Sequence, residues 1–229
     1  MKLNSETDFV AKGEDFRNFL GNTLSILLSS PLSLNMQRGD PVLTDMLKDT
    51  KYDGGNNIEE ARKLLTARTK ENIEISMVKS LTADKDSIIG KYVHKELAQS
   101  IGSSGCWLTL RHDMQTENRQ LYKLADDLAI HYFGNKNEVI YEKDIDRTLY
   151  DSELAKVREE MKKALDGKPQ DLQEQIIRGK MMRFLEERAM DCQRVGFEES
   201  EETISEYLTA WQKKNKGKVT ILQAERFGV

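Results

Sequence analysis

Asp8 and Phe9, two neighbours near the N-terminus, have side chains that could act together on a partner molecule. They follow a polar run and directly precede a stretch with helical spacing, so they lie at a corner between two elements. A carboxylate beside an exposed aromatic ring can anchor a protein interface, because aromatic side chains often dominate interface energetics. The pattern alone favours the other interpretation, in which the Phe9 ring folds back onto its own core.

Residues typical of nucleotide binding or covalent catalysis form no recognisable pattern in this chain. Gly90-Lys91-Tyr92 lacks the upstream glycine and the Ser or Thr of a phosphate-binding loop. The glycine-rich residues 101–105 are interpreted as a β-turn. No Gly-x-Ser-x-Gly elbow is present, and no pair of carboxylates stands out. We therefore expect no active site, no small-molecule substrate and no cofactor.

Cysteines and histidines are too few and too scattered for a metal site. Cys106 and Cys192 form no Cys-x-x-Cys pair, and His94, His112 and His131 lack the spacing of zinc ligands. Two reduced, packed thiols are expected, with one disulfide as the alternative. His131 lies late in a predicted helix and away from the centre of its apolar stripe. That position favours a partly buried structural histidine.

Composition narrows the class of protein further. The 229 residues suffice for one large domain or two small ones, and 38% of them are apolar. The net charge of −4 disfavours general nucleic-acid binding, which requires a basic face. No run of 18 apolar residues predicts a membrane span, and no signal or transit pattern opens the chain. Because Met1 leads straight into a predicted strand, we expect that the natural start has been trimmed away.

The elements around the corner follow from hydrophobic periodicity. A helix over residues 15–28 would bury one face, formed by Phe16, Phe19, Leu20, Thr23 and Leu27. Residues 29–55 are rich in loop formers, with a short helix possible at 43–48. Asn57 and Glu60 form a variant capping box that begins the next helix. Strands predicted at 73–77, 88–94 and 106–111 would form one small antiparallel sheet.

The second half is predicted to be mainly helical. Helices are expected at 116–133 and 151–165, Pro169 would open another, and a strand would cover 218–227. Apolar residues at coiled-coil spacing over 182–196 and 204–211 predict a helical hairpin, out along 179–195 and back along 203–214. An ordinary helix pair packed on the core is the alternative.

Residues 3–12, Leu-Asn-Ser-Glu-Thr-Asp-Phe-Val-Ala-Lys, resemble the signature of the elongation factor Ts family. That signature reads roughly Leu-Asn-(Cys/Ser)-(Glu/Gln)-Thr-Asp-Phe-Val-Ala-Lys. Weaker similarities follow in the family's order, so the resemblance covers nearly the whole chain. They are Glu71-Asn72-Ile73, Tyr92-Val93-His94, Leu128-Ala129-Ile130-His131, Gly167-Lys168-Pro169 and Ile177-Arg178-Gly179-Lys180-Met181.

The resemblance implies an α+β fold of two subdomains. Each would hold a small antiparallel sheet packed with helices, and an antiparallel coiled-coil helical hairpin would protrude. Applied to this chain, it gives an N-terminal subdomain at 1–112 and a C-terminal subdomain at 113–229. The hairpin is expected at about 179–214.

The resemblance also implies a function, namely guanine-nucleotide exchange on the translational GTPase EF-Tu through protein contact alone. The partner would be EF-Tu in its GDP-bound form, with no direct contact to nucleic acid or membrane. Thr7, Asp8, Phe9 and Val10 would press against its G-domain and disturb the Mg²⁺ and β-phosphate site, so that GDP leaves. The hairpin would contact another EF-Tu domain.

Two further residues are implied as contacts with the G-domain. His131 matches a family histidine. Gly105, within Ser104-Gly105-Cys106, is the nearest equivalent of the glycine in the family motif Arg-(Ile/Val)-Gly-Val-Leu, although Ile101-Gly102 competes for that role.

Some features depart from the family pattern. A ubiquitin-associated-like domain normally precedes the signature, and this sequence does not contain it. The polar stretch at 29–57 and the divergent sequence favour an organellar factor in the mitochondrial matrix, with the bacterial cytoplasm as the alternative. A helical interaction scaffold that binds EF-Tu or another partner without exchange remains the alternative function.

Overall fold

The computed structural model describes residues 1–29, 34–98, 100–115 and 119–228, and for residue 164 only the backbone. Helices and small sheets make it an α+β protein, as predicted. Its contacts divide the chain into two compact units. The first contains Met1–Thr82, Val93–Gly105 and the last residues from Phe227, and the second contains Ala83–Tyr92 and Cys106–Arg226. The subdomain boundary at 112/113 stays a prediction.

The elements of the first unit come from the N-terminal third of the chain. They are β1 (Lys2–Asn4), α1 (Asp8–Lys12), α2 (Glu14–Leu28), β2 (Asn35–Gln37), α3 (Pro41–Asp49), β3 (Lys51–Asp53), β4 (Asn56–Asn57), α4 (Ile58–Thr69) and β5 (Glu74–Lys79). Strand β5 is central in a sheet of order β1-β5-β2 and pairs antiparallel with both neighbours. Strands β3 and β4 form a separate antiparallel pair.

An apolar core holds the first unit together. The predicted face of α2 is buried, and its Phe16, Phe19 and Leu27 join this core. Helices α3 and α4 and strand β5 contribute Leu43, Ile58 and Ile75. The capping box of α4 is confirmed, since Asn57 and Glu60 each accept a hydrogen bond from the other's backbone N–H. The helix ends at Thr69, and Lys70 caps it in a left-handed conformation with φ 58°.

The later elements are longer. They are β6 (Ser87–Ala98), β7 (Ile101–His112), α5 (Arg119–Gly134), α6 (Arg147–Leu165), α7 (Gln170–Glu186), α8 (Ile204–Asn215) and β8 (Val219–Phe227), with 3₁₀ turns at Glu142–Asp144 and Met190–Cys192. Strand β7 is central in a sheet of order β6-β7-β8. Residues 116–118 of the predicted helix lie outside the described part of the chain, as do residues 30–33 of the predicted loop.

Two predictions about strands are wrong. Residues 101–105 belong to β7 and do not form a turn. The strand at 73–77 does not join the other two predicted strands, because β5 pairs with β1 and β2. The first error takes the start of a strand for a turn. The second concerns pairing over a long sequence separation, which local spacing does not report.

The predicted position of the helical hairpin is also wrong. Helix α7 stops at Glu186, and the helical structure of residues 187–203 is limited to the 3₁₀ turn. The hairpin consists instead of α6 and α7, which run antiparallel, since Tyr150 near the start of α6 meets Phe184 near the end of α7 at a ring distance of 6.5 Å. Beyond the helix, Met190 donates its N–H to the Val139 carbonyl and so joins this segment to a distant one. Helix α8 packs into the core of α5 and the sheet.

Candidate functional site

The corner at residues 7–10 is a short, capped helix. Thr7 is the N-cap in extended conformation, and its Oγ1 accepts a hydrogen bond from the Val10 N–H at 3.4 Å. The helix ends at once, because the Gly13 N–H donates to the Val10 carbonyl at 2.9 Å. These two bonds define the ends of α1 and thereby the directions of its side chains.

Phe9 points away from the protein. Its side chain is 84% exposed, whereas its neighbours Val10 and Ala11 pack against the core of the first unit. The interpretation in which the ring folds inward is therefore wrong. On a helix of this length only one side can face the core, and Val10 and Ala11 occupy that side. An exposed ring of this size offers apolar area for a partner to bury.

Asp8 is also exposed, and it pairs with a residue of its own helix. Its carboxylate lies 2.5 Å from the Lys12 ammonium, one turn further along. The hydrogen bond from Lys12 and the charge of Lys12 lower the pKa of Asp8 below its ordinary value. The corner therefore presents an ionised carboxylate beside an apolar ring.

An apolar cavity of about 580 Å³ borders the corner within the first unit. Thr7 and Asp8 lie at its edge. Its apolar lining includes Leu3, Phe16, Leu97, Ile101 and Phe227. Phe9 is not among the lining residues, so the ring is directed away from this cavity.

His131 lies in the second unit and is 2% exposed, which makes it more buried than predicted. Its Nε2 is 3.0 Å from Gln193 Oε1, and its Nδ1 is 3.4 Å from Asn135 Nδ2. Gln193 donates through Nε2 to the carbonyls of Lys136 and Glu186, so its Oε1 must accept a hydrogen bond from the histidine. Burial lowers the pKa of His131. The ring is therefore neutral, with its proton on Nε2.

Gly105 is a buried strand residue of β7. Its rival Gly102 is exposed, and a Cβ there would lie 2.5 Å from Val93 Cγ1 and 2.6 Å from the His94 carbonyl oxygen. Gly102 therefore permits close strand approach in the first unit. Thr7, Asp8, Phe9, Val10 and Gly105 all belong to this unit, and His131 does not.

The sequence alone did not indicate that one further residue, Glu71, contacts the corner. Glu71, directly after α4, bonds to the backbone of Glu6 and to Thr7. The motif Glu71-Asn72-Ile73 marked this position, but nothing in its spacing connected it with Thr7.

Neither a metal-binding cluster nor a membrane-spanning helix is found among the described residues. Among them, no cluster of three His, Cys, Asp or Glu could hold a metal ion, and none of their helices has both the length and the apolar composition of a membrane span. Cys106 and Cys192 are free and buried.

Fold and corner together define an α+β protein that displays an aromatic side chain on a capped helix. Residues 6–229 match the family model described as Elongation factor TS. The chain belongs to the elongation factor Ts family, which confirms the resemblance drawn from the corner and the later motifs.

Relatives in bacteria and in a mitochondrion agree with this assignment. The chain is 28% identical over 187 residues to elongation factor Ts of Rickettsia bellii, covering 82% of this chain and 56% of that protein. It is 25% identical over 227 residues to the Rickettsia felis protein, covering 99% and 68%. It is 26% identical over 212 residues to "Elongation factor Ts, mitochondrial 2" of Paramecium tetraurelia, covering 90% and 66%. The chain thus spans little more than half of the Rickettsia bellii protein.

Proposed function

We propose that this chain acts in translation elongation by binding EF-Tu in its GDP-bound form and accelerating GDP release. Membership of the family supports EF-Tu as the partner. The 84% exposure of Phe9 on a capped helix supports a mechanism in which its ring contacts EF-Tu. A partner that stabilises the nucleotide-free state shifts the population toward it, and GDP must in turn weaken binding of the factor by an equal ratio.

Phe9 is the contact residue in this proposal. Its ring enters between side chains of the G-domain, Asp8 lies beside it, and the movement disturbs the site that holds Mg²⁺ and the β-phosphate. Thr7 caps the helix, and Val10 anchors it to the core. Burying an exposed Phe contributes on the order of 2 kcal/mol, which corresponds to about thirtyfold in affinity.

His131 and Gly105 have supporting roles, because both are buried. They would shape the surfaces that EF-Tu contacts and would not touch it through large side chains. The hairpin of α6 and α7 would contact a second EF-Tu domain, as a short antiparallel coiled coil. The contacts are between proteins, so the proposal requires no covalent step, nucleic acid, membrane or small-molecule substrate.

We place the protein in an organelle matrix, in line with its mitochondrial relative, with the bacterial cytoplasm as the alternative that its bacterial relatives support. Fractionation of the source cells with a compartment marker would decide between the two.

Release of fluorescently labelled GDP from the cognate EF-Tu tests the exchange activity. We expect the unmodified chain to accelerate release, and the double variant Asp8→Ala, Phe9→Ala to lose about thirtyfold in efficiency at limiting concentration, because the ring contact is lost. The matched control is Leu28→Ala, which removes another exposed apolar side chain of the same unit, 78% exposed. It should exchange as fast as the unmodified chain.

Two results would contradict the proposal. An unchanged release rate with unmodified protein would exclude exchange, and stable binding in that case would favour the scaffold. Full activity of the double variant would exclude the corner as the contact.

A further inference from the structure

The corner that carries Phe9 is held by a residue far away in the sequence. Glu71 Oε2 accepts hydrogen bonds from the Glu6 N–H at 3.1 Å and from the Thr7 N–H at 2.9 Å. Its other oxygen, Oε1, accepts one from the Thr7 hydroxyl at 2.5 Å. One carboxylate thus binds three donors of a two-residue segment, and hydrogen bonds to a charged acceptor are stronger than neutral ones.

The local structure around Glu71 explains how its side chain reaches the corner. Helix α4 ends at Thr69, and Lys70 turns the chain through a left-handed conformation. The Glu71 N–H then donates to Thr69 Oγ1 at 3.3 Å. Two residues later Ile73 is fully buried, so the segment is anchored on both sides. Glu71 is therefore held by the scaffold of the first unit.

Glu71 also decides how Thr7 caps α1. A hydroxyl has one proton, and Thr7 donates it to Glu71. The remaining lone pairs of Thr7 Oγ1 are then available to the Val10 N–H. Because α1 has only five residues, it has little stability of its own and depends on such contacts.

We propose that Glu71 is the positioning residue of the EF-Tu contact: its carboxylate holds the Glu6–Thr7 backbone and so fixes the direction in which α1 displays Phe9. The effect of Glu71 on EF-Tu binding rests on the proposed function. The positioning of α1 rests on the hydrogen bonds of the free protein. A glutamine at position 71 has a single acceptor oxygen, so it could keep only part of the contact.

The first experiment uses the free protein and does not depend on any partner. Amide hydrogen exchange, read residue by residue by NMR, is compared for the unmodified chain, Glu71→Ala and Glu71→Gln. We expect exchange at Thr7 and Val10 to rise at least about tenfold in Glu71→Ala, and less in Glu71→Gln, because protection follows the free energy of local opening.

The matched control is Glu60→Ala at the other end of α4, where the carboxylate also accepts a backbone N–H. It should loosen the start of α4 and leave exchange at Thr7 unchanged. Unchanged exchange at Thr7 in both Glu71 variants would overturn the inference. If Glu71→Ala does not fold, Glu71→Gln alone decides the comparison.

The second experiment is a double-mutant cycle in the GDP-release assay. Glu71→Ala should raise the concentration of factor needed for half-maximal release by about tenfold, an effect the size of one well-placed charged hydrogen bond. Phe9→Ala should then cost only about threefold more in the Glu71→Ala background, instead of about thirtyfold, since a misdirected ring has already lost most of its contact. In the Glu60→Ala background, Phe9→Ala should retain its full effect.

If the fold-changes caused by Glu71→Ala and Phe9→Ala simply multiply in the double variant, the two residues act independently. Glu71 would then contribute only to general stability, and the positioning role would be overturned. If the unmodified chain does not accelerate GDP release at all, the proposed function fails, while hydrogen exchange still decides whether Glu71 holds the corner.

Discussion

A buried histidine with both ring nitrogens in hydrogen-bonding contact is a costly residue to protonate. Gln193 uses its two N–H donors on backbone carbonyls and leaves only an acceptor for His131 Nε2. The Phe197 ring lies nearly perpendicular to the imidazole, with 6.3 Å between the ring centroids. Because desolvation lowers the pKa of His131, the folded protein binds that proton less readily than the unfolded chain does.

This difference predicts the pH dependence of stability. The unfolded histidine titrates near its ordinary value of 6.5, and the folded one below it. The contribution to stability is therefore complete above that ordinary value and is lost as the pH falls toward the folded-state pKa. We expect the free energy of unfolding, measured by urea titration, to decline from pH 7 to pH 5, and to decline less in His131→Gln.

Phe197→Leu is the control for that experiment, since it disturbs packing beside the ring without removing a titratable group. It should lower stability at every pH and keep the slope of the unmodified protein. Burial raises the pKa of Asp191, which acts with the opposite sign. Comparing slopes between variants removes this contribution. An equal slope in His131→Gln would contradict the assignment.

At the scale of elements, one close contact sets how α5 packs on β6. A Cβ built on Gly90 would lie 2.1 Å from the Ala125 carbonyl oxygen and 2.3 Å from its carbon. Both atoms belong to the helix backbone and cannot move aside as a flexible side chain could. Gly90 is therefore required by the approach of helix to strand, although its sequence context raised the question of a phosphate loop.

We expect Gly90→Ala to destabilise the protein by roughly 1–3 kcal/mol or more, because the helix must shift to admit one methyl group. Urea unfolding followed by circular dichroism measures this. Gly179→Ala in α7 is the matched control, since nothing lies within 4 Å of a Cβ there. It should stabilise by about 0.5–1 kcal/mol, because glycine disfavours a helix interior. A tolerated Gly90→Ala would contradict the observed packing.

At the scale of the molecule, the two thiols report on two cores of the second unit. Cys106 lies in the core of α5 and the sheet and donates to the Ala129 carbonyl, while Cys192 lies in the smaller core of the α6–α7 hairpin. Burial raises the pKa of Cys106 to about 11 and, together with the carboxylates of Asp191 and Glu142, that of Cys192 to about 12. Neither thiol should react while its core is closed.

We predict that a thiol reagent labels neither cysteine quickly in the native protein and both at once in denaturant. Over hours, Cys192 should label before Cys106, because a smaller core opens at a lower free-energy cost. Mass spectrometry of the two cysteine peptides measures the order, and Cys192→Ala identifies the slower site. Rapid labelling of Cys106 in native protein would contradict the burial of its core.

Much of the fold follows from short-range pattern. The buried face of α2 and the helices α5 and α6 appear in the spacing of apolar residues, since a period of 3.6 is a property of neighbouring positions. The cap of α4 appears in the residue types Asn57 and Glu60, three positions apart. The pairing partners of the strands and the position of the helical hairpin could not be predicted from this local pattern. Residues 182–196 have coiled-coil spacing, yet α7 ends at Glu186, and Met190 then bonds through its backbone N–H to the distant Val139.

At the corner of Thr7, Asp8 and Phe9, some features follow from the sequence and others only from the tertiary structure. Sequence alone determined the family and the presence of a corner between two elements, because the residue types and their order are local properties. Only the tertiary structure decided that Phe9 faces outward, that His131 is buried and that Glu71 holds Thr7 across 64 positions of sequence. The physical reason is that exposure and hydrogen-bond partners depend on which distant segments the folded chain brings together.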